Sequence, residues 1–277
     1  MISKSLIGFV YKEDSRKALD LVTAIVKDFD MSLRSWIQSS DELQVGNVQL
    51  SETALIIVAG GDGTILKIAK ISALHRIPIV GINLGRIGFM SEIEPDEINS
   101  KLNNYLSFNT RLEKRFMLKA AISGSDSDEL DLHALNDIVI SHSIVGNVID
   151  VLVKVDGVSI NNYRADGVII ASPTGSTAYA FAAGGPVIYP EAKTILIQPL
   201  APHMSLGRAM VISGESRVEI SIANGSDAIM SVDGTQYGTA IKYDDIVTVS
   251  KSPYAVLFLR EKDPDAFYKN LSELLSN

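Results

Sequence analysis

Leu55-Ile56-Ile57-Val58-Ala59-Gly60-Gly61-Asp62-Gly63-Thr64-Ile65-Leu66 organises the chain: an apolar run, a glycine turn carrying one acid, then an apolar segment of helical spacing. The run up to the glycines reads as a central parallel strand, and Thr64 opens the helical pattern Ile65, Leu66, Ile68, Ala69, Ile71. At the carboxyl end of a strand in an open α/β sheet, backbone N–H groups and a helix dipole together favour a phosphate. Asp62 is the odd residue there, since an anion repels phosphate. It asks for a carboxylate that handles a proton or a metal beside that phosphate. Asp62 or Thr64 could instead cap the helix, with Gly60, Gly61 and Gly63 simply making the turn. A cap needs one polar residue and no cluster of glycines, which favours the functional reading.

Outward from this stretch the pattern repeats. Leu6 to Tyr11 predicts a strand and Ser15 to Phe29 a helix with Ala18, Val22, Ile25, Val26 and Phe29 on one face. Met31 to Ile37 is expected as a second strand, with Trp36 in packing rather than binding. Pro78 to Ile82 reads as another strand, and Pro95 to Leu106 as a closing helix. Alternating strands and helices imply a mostly parallel sheet. The turn Asn83-Leu-Gly85-Arg86-Ile-Gly88-Phe89 is again rich in glycine at a strand end, so it should face the same crevice. Neither turn is G-x-G-x-x-G or Walker A, which argues against a dinucleotide-binding dehydrogenase and a P-loop ATPase.

From Arg111 the period becomes two: Leu112, Lys114, Phe116, Leu118, Ala120 and Ile122 alternate with their neighbours. Short strands are expected at Asp137 to Ser141, Val148 to Val155, Val168 to Ala171, Arg217 to Ile222, Ala228 to Val232 and Ile246 to Val249. Asp156-Gly157 and Asp233-Gly234 sit where hairpin turns belong. Helical spacing returns at Asp263 to Leu275. The expected class is therefore α/β plus all-β: an N-terminal mostly parallel α/β domain over 1–107, joined by the tail 254–277, and a C-terminal β-sandwich-like domain over 108–253.

With 277 residues, 46% of them hydrophobic, the chain can bury a large core. A net charge of −8 disfavours a nucleic-acid partner and requires that positive charge for an anionic substrate be local, with Lys67, Arg86 and Arg164 as candidates. The absence of cysteine excludes disulfides and thiolate chemistry. Met1-Ile-Ser-Lys-Ser is unlike a signal peptide and no apolar stretch reaches membrane-spanning length, so a cytoplasmic protein without a membrane partner is expected. The 4 histidines have no ligand spacing, which gives no case for a metal held by protein side chains.

Gly60-Gly61-Asp62-Gly63-Thr64 resembles the motif of the NAD kinases, shared with diacylglycerol and sphingosine kinases and loosely with phosphofructokinases. A second block, Arg164-Ala-Asp166-Gly167-Val-Ile-Ile-Ala-Ser-Pro173-Thr174-Gly175-Ser176-Thr177-Ala178-Tyr179, is similar to the NAD kinase core and far more specific. Asn136-Asp137 and the Gly81 to Phe89 segment resemble that family in order and spacing, so the likeness covers nearly the whole chain. It implies transfer of the ATP γ-phosphoryl group to the 2′-hydroxyl of the adenosine ribose of NAD, giving NADP. Asp62 would be the general base, and Mg²⁺ would arrive with ATP, or with polyphosphate in its place. Gly63 and Lys67 would meet the substrate; Asn136 and Asp137, the NAD nucleoside; Arg164 and Asp166, the nicotinamide end, from a neighbouring subunit. Thr177, Ala178, Tyr179, Ala180, Phe181 and Ala182 would line the NAD site, with Tyr179 stacking on a ring and Gln236 adding a polar contact. Many relatives have Glu where this chain has Asp137, and the His203 to Ala209 segment departs from the family order. The resemblance further implies a homodimer or homotetramer built through the β-rich domain, with the tail packed on the first. A lipid kinase shares the first turn but not the Thr174 to Tyr179 block. A non-catalytic NAD(P)-binding regulator would gain nothing from Asp62.

Overall fold

A computed structural model describes residues 5–85, 88–124, 131–143, 148–203, 207–223 and 228–276, with 236–240 as backbone. The chain forms two units, residues 1–114 with 256–277, and residues 115–255. In the first lie β1 (Leu6–Tyr11), α1 (Arg16–Asp28), β2 (Ser35–Ser39), β3 (Thr53–Gly60), α2 (Asp62–His75), β4 (Ile79–Asn83) and α3 (Ile98–Leu106). Strand β5 (Arg111–Ser123) leads into the second unit. There follow β6 (Leu132–Ala134), β7 (Asp137–His142), β8 (Ile149–Val155), β9 (Val158–Ala165), β10 (Gly167–Ala171), α4 (Tyr179–Ala182) and β11 (Thr194–Leu200). Then come β12 (Met210–Ser213), β13 (Val218–Ala223), β14 (Ala228–Val232), β15 (Thr235–Ile241) and β16 (Ile246–Arg260), whose end re-enters the first unit before α5 (Ala266–Ser276).

The first unit is a parallel sheet in the order β2-β1-β3-β4, with Phe258 of β16 beside Ile79 at its far side. Side chains alternate across a strand. Leu55, Ile57, Ala59, Val80 and Ile82 pack with Ala18, Val22 and Ile25 of α1 and with Ile98 and Leu102 of α3. Gly81, of opposite parity, meets Ile65 of α2, where an added Cβ would lie 2.5 Å from Ile65 Cδ1. Helices thus cover both faces, which is why β3 and β4 read as unbroken apolar runs. Ser15 caps α1 by accepting from the Ala18 N–H at 3.3 Å. Trp36 is buried over Gly8, its Nε1 donating to Thr53 Oγ1 at 2.9 Å, a packing role.

The second unit holds an antiparallel sheet, β12-β11-β10-β7-β14-β15, and a second sheet in which β16, β13, β8 and β9 lie in that order. Ile138, Ile140, Val168 and Ile170 of one share a core with Val151, Val153, Ile220 and Ile222 of the other, the sandwich that the alternation predicts. The opposite face of the first of these sheets, at Val139, Ile169, Ala171 and Leu196, is covered by Ala180 of α4. Both turn pairs form hairpins with left-handed backbone, Asp156 and Gly157 at φ 50° and 82°, Asp233 and Gly234 at 49° and 75°.

Several expectations shift. The second strand runs from Ser35 to Ser39 rather than from Met31, because Arg34 N–H and Ser35 Oγ both bond the Met31 carbonyl and turn the chain there. Ile246 to Val249 is only the start of the long β16. Strands β6, β9, β11, β12 and β15 are additional to those expected.

Candidate functional site

Helix α2 begins one residue after Gly61, its N-cap, and no side chain caps it. The capping reading of Asp62 and Thr64 is therefore corrected. Asp62 occupies the first helical position and sends its carboxylate away from its own helix: Oδ2 accepts from the Phe89 N–H at 2.8 Å and Oδ1 from the Met90 N–H at 3.2 Å. A carboxylate has about four acceptor positions, so capacity remains on both oxygens. The second glycine-rich turn does reach the first: a Cβ on Gly88 would lie 2.2 Å from Asp62 Oδ1. Only glycine lets that backbone come so close. Asn83, at the end of β4, shapes the approach by accepting from the Gly85 N–H at 3.1 Å while its amide donates to Glu94.

Gly61 and Gly63 present a different case. Neither has positive φ, and no described atom lies within 4 Å of the Cβ either would carry. The backbone conformation and the packing of the described residues do not require glycine at these positions, and among the described residues the space beside Asp62 on α2 is open. Lys67, one turn on, is exposed and pairs with Asp41 at 2.8 Å. That hydrogen bond holds the Asp41 carboxyl below its ordinary value. Arg86 lies outside the described residues.

In the second unit, Asn136 and Asp137 are fixed by the hairpin turn at Asp233. Its carboxylate accepts from the N–H groups of Leu135, Asn136 and Asp137 at 2.9, 2.7 and 3.1 Å, and its own N–H returns to the Asp137 carbonyl at 2.9 Å. From the other side, Ser172 donates its N–H to the Asn136 carbonyl at 2.8 Å and its hydroxyl to that of Leu135. A Cβ on Gly175 would lie 2.1 Å from the Asn136 carbonyl oxygen. The Pro173 to Thr177 turn is therefore locked against the Asn136 peptide. Arg115 donates to Thr174 at 3.4 Å, and Ser176 bonds Pro173 and Ile188.

Within this rigid frame the Asn136 side chain is the exception: its Oδ1 is buried and finds no hydrogen-bond partner among the described residues. Native chains rarely leave such an acceptor unmatched unless a ligand, ion or water meets it. Thr177 and Ala178 follow half-buried, and Tyr179 opens α4 half exposed. Ala180 is core, Phe181 half-buried and Ala182 exposed. Gln198 tethers the end of α4, its Nε2 donating to the Ala183 carbonyl at 3.1 Å. Arg164 is exposed on β9 opposite Asp150, and the half-buried Asp166 links β9 to β10 through backbone bonds with His142 and Leu200. Gln236 lies on β15 opposite Ser231. Asp233, Ser172 and Gly175 were missed as site residues. Asp233 was legible as a turn residue, but no local signal says where its carboxylate goes. Among the described residues no group of His, Asp and Glu could hold a metal ion.

Two sites of this kind, an acid in a glycine turn and an amide in a locked loop, agree with what similar proteins are. Residues 24–109 match the ATP-NAD kinase N-terminal domain and residues 135–261 the ATP-NAD kinase C-terminal domain. The NAD kinase of Thermoanaerobacter sp. (strain X514) is 34% identical over 268 residues, spanning 96% of this chain and 90% of that one. That of Treponema denticola is 39% identical over 223 residues, spanning 80% and 78%. The crystal structure of an NAD kinase from Archaeoglobus fulgidus in complex with ATP superposes with a TM-score of 0.77 at 27% identity, covering 98% of this chain and all of that one. Yeast NADH kinase complexed with NADH shares the fold, with a TM-score of 0.85 at 21% identity, covering 99% and 88%. With both domain models matched and relatives this similar over more than three quarters of their length, the chain belongs to the NAD kinase family of phosphotransferases.

Proposed function

We propose that this kinase moves the γ-phosphoryl group of ATP onto the 2′-hydroxyl of the adenosine ribose of NAD, with Asp62 as the base. The ribose oxygen bonds to the γ-phosphorus, the bond from that phosphorus to the β,γ-bridging oxygen breaks, ADP leaves, and the hydroxyl proton passes to Asp62. The observation that carries this reading is the placing of Asp62. Its carboxylate does not cap its own helix, is aimed by two backbone amides, and stands between two glycines that the packing of the described residues does not require. A base must be held in hydrogen-bond reach of its proton before its acidity matters. Gly63 offers backbone to the substrate, and Lys67, released from Asp41, supplies charge to its phosphates. Mg²⁺, entering with ATP, would spread the charge that builds on the phosphoryl oxygens.

Asn136 takes the NAD nucleoside, its buried Oδ1 accepting from an N–H or O–H of the ligand, with Asp137 beside it on the ribose. Thr177 to Ala182 line the same ligand, Tyr179 stacking on a ring, and Gln236 adds a polar contact. Arg164 and Asp166 serve the nicotinamide end of NAD held by a neighbouring subunit. That assembly, a homodimer or homotetramer through the second unit, is supported by β9. This sheet-edge strand exposes Val158 and Ile160, and apolar side chains on an unpaired edge invite a partner. A cytoplasmic location fits the lack of cysteine.

The test is NADP formation by the purified chain from NAD, ATP and Mg²⁺, with Asp62→Asn beside it. Turnover by the wild type and its loss in the variant support both activity and base. Equal turnover removes Asp62 from that role.

A further inference from the structure

The peptide units that hold Asp62 are themselves held from behind, by the carboxyl-terminal end of the chain. Phe89 and Met90 give their N–H groups to Asp62. The carbonyls of Phe89, Met90 and Ser91 accept from the guanidinium of Arg260 at 3.4, 3.0 and 3.3 Å. Next to them, the Gly88 carbonyl accepts from Asn270 Nδ2 at 2.9 Å, and the Phe89 ring packs on Phe267 with centroids 5.5 Å apart. Phe267 and Asn270 are three residues apart on α5, hence on one face of it. Residues 88–91 have no regular secondary structure. These contacts, rather than a ladder, set the orientation of their peptide planes.

Arg260 is built in firmly. It is 6% exposed, bonds Glu92 at 3.0 Å and Glu113 at 3.3 Å, and its planar fork meets carboxylates and carbonyls together. Glu92 is anchored in turn by the Tyr105 hydroxyl and by the N–H groups of Glu261 and Lys262, the first residues beyond β16. Burial, then the Glu92 charge, push the Tyr105 hydroxyl above its ordinary value, so it remains a donor.

We propose that Arg260, Phe267 and Asn270 form a positioning device for Asp62. By fixing the 88–91 peptides they keep the Phe89 and Met90 amides on the carboxylate, and so fix the direction in which it meets a proton. Their contacts described above go to the 88–91 segment rather than to Asp62, and the inference rests on the reading of Asp62 as the base. A rigid backing suits that role, since small misplacements of a reacting group cost rate steeply.

Replacing Arg260 would strand two buried carboxylates and disturb folding, so Asn270 is the informative position. Asn270→Ala, with the exposed Ser272→Ala on the same helix as control, is compared with wild type in the full chain. Steady-state kinetics, thermal melts and amide exchange of residues 88–91 are recorded. The expected result for Asn270→Ala is a kcat lowered about three- to tenfold, unchanged KM for NAD and ATP, unchanged Tm, and faster exchange at Phe89 and Met90. Ser272→Ala should match wild type. A wild-type kcat in Asn270→Ala, or a loss that tracks Tm or KM, overturns the proposal. Asp62→Asn runs alongside. If it turns over like wild type, the base reading fails; if it is inactive while Asn270→Ala is normal, positioning alone fails.

Discussion

Both units use the same contact, a carboxylate gathering backbone N–H groups, and they use it in opposite senses. In the first, Asp62 is the proposed base and the amides of Phe89 and Met90 hold it. In the second, Asp233 is the holder, and the loop it grips presents Asn136, whose Oδ1 has no partner among the described residues. On the proposed reading, a carboxylate bound by backbone is the reagent in one unit and the clamp in the other. What separates the two is what surrounds it: open glycines beside Asp62, a hairpin turn and closed peptides around Asp233.

The largest expected effect breaks or confirms the first half of that contrast. Asp62→Asn keeps the shape and one acceptor but loses the base, so kcat should fall by about 10²- to 10⁴-fold while NAD affinity, measured by calorimetry, stays near wild type. For the clamp the loss should appear in stability instead. Asp233→Ala abandons three N–H donors and places alanine at a left-handed position, which should cost about 3 kcal/mol in urea unfolding. Asp233→Asn, still accepting through one oxygen, should fall between. If Asp233→Ala unfolds like wild type but is inactive, Asp233 is a reagent and the contrast collapses.

Asn136→Ala sharpens the second half. Removing an acceptor that has no partner in the chain should change stability by under about 0.5 kcal/mol yet raise KM for NAD about tenfold, the loss of one hydrogen bond of about 1.4 kcal/mol. Lys67→Ala should raise KM for ATP several-fold at a stability cost below about 1 kcal/mol, because its pair with Asp41 is exposed. The smallest effect is in acid. Lys101 holds the Glu97 carboxyl below the ordinary glutamate range, chiefly by a direct hydrogen bond. That contribution is present above the unfolded carboxylate's range and lost as pH falls through the lowered folded value. Lys101→Gln should therefore slightly narrow the stability gap between neutral and acid pH in melts.

Much of the fold could be read from the chain because its signals are local. Helix α1 keeps its apolar face, and both Asp-Gly pairs form hairpins, since φ above zero is a demand of the turn itself. The strands that were missed lack such a signal. In β9, Val158-Ser-Ile-Asn-Asn-Tyr-Arg-Ala165, polar residues interrupt the alternation because an edge strand tolerates them. In β11, Pro199 argues against a strand, yet it lies past Ile197, the last residue paired with β12, where that side has become an edge. Within the sites, the glycine turn is legible by composition, and Asn136 only through the family resemblance. Asp233, Arg260 and Asn270 were not, because nothing near them in the chain indicates what they grip.

By itself the sequence determined the parallel α/β unit, the β-rich unit after it and the acid in its glycine turn, since periodicity and turn chemistry act over a few residues. Only the tertiary structure decided which hydrogen bonds aim the candidate site residues. Asp62 finds its donors 27 and 28 residues away, Asp233 grips amides 96 to 98 residues back, and Arg260 reaches carbonyls 169 to 171 residues back. Such partners are set by where the folded chain crosses itself, and a hydrogen bond across that distance leaves no pattern in the residues between.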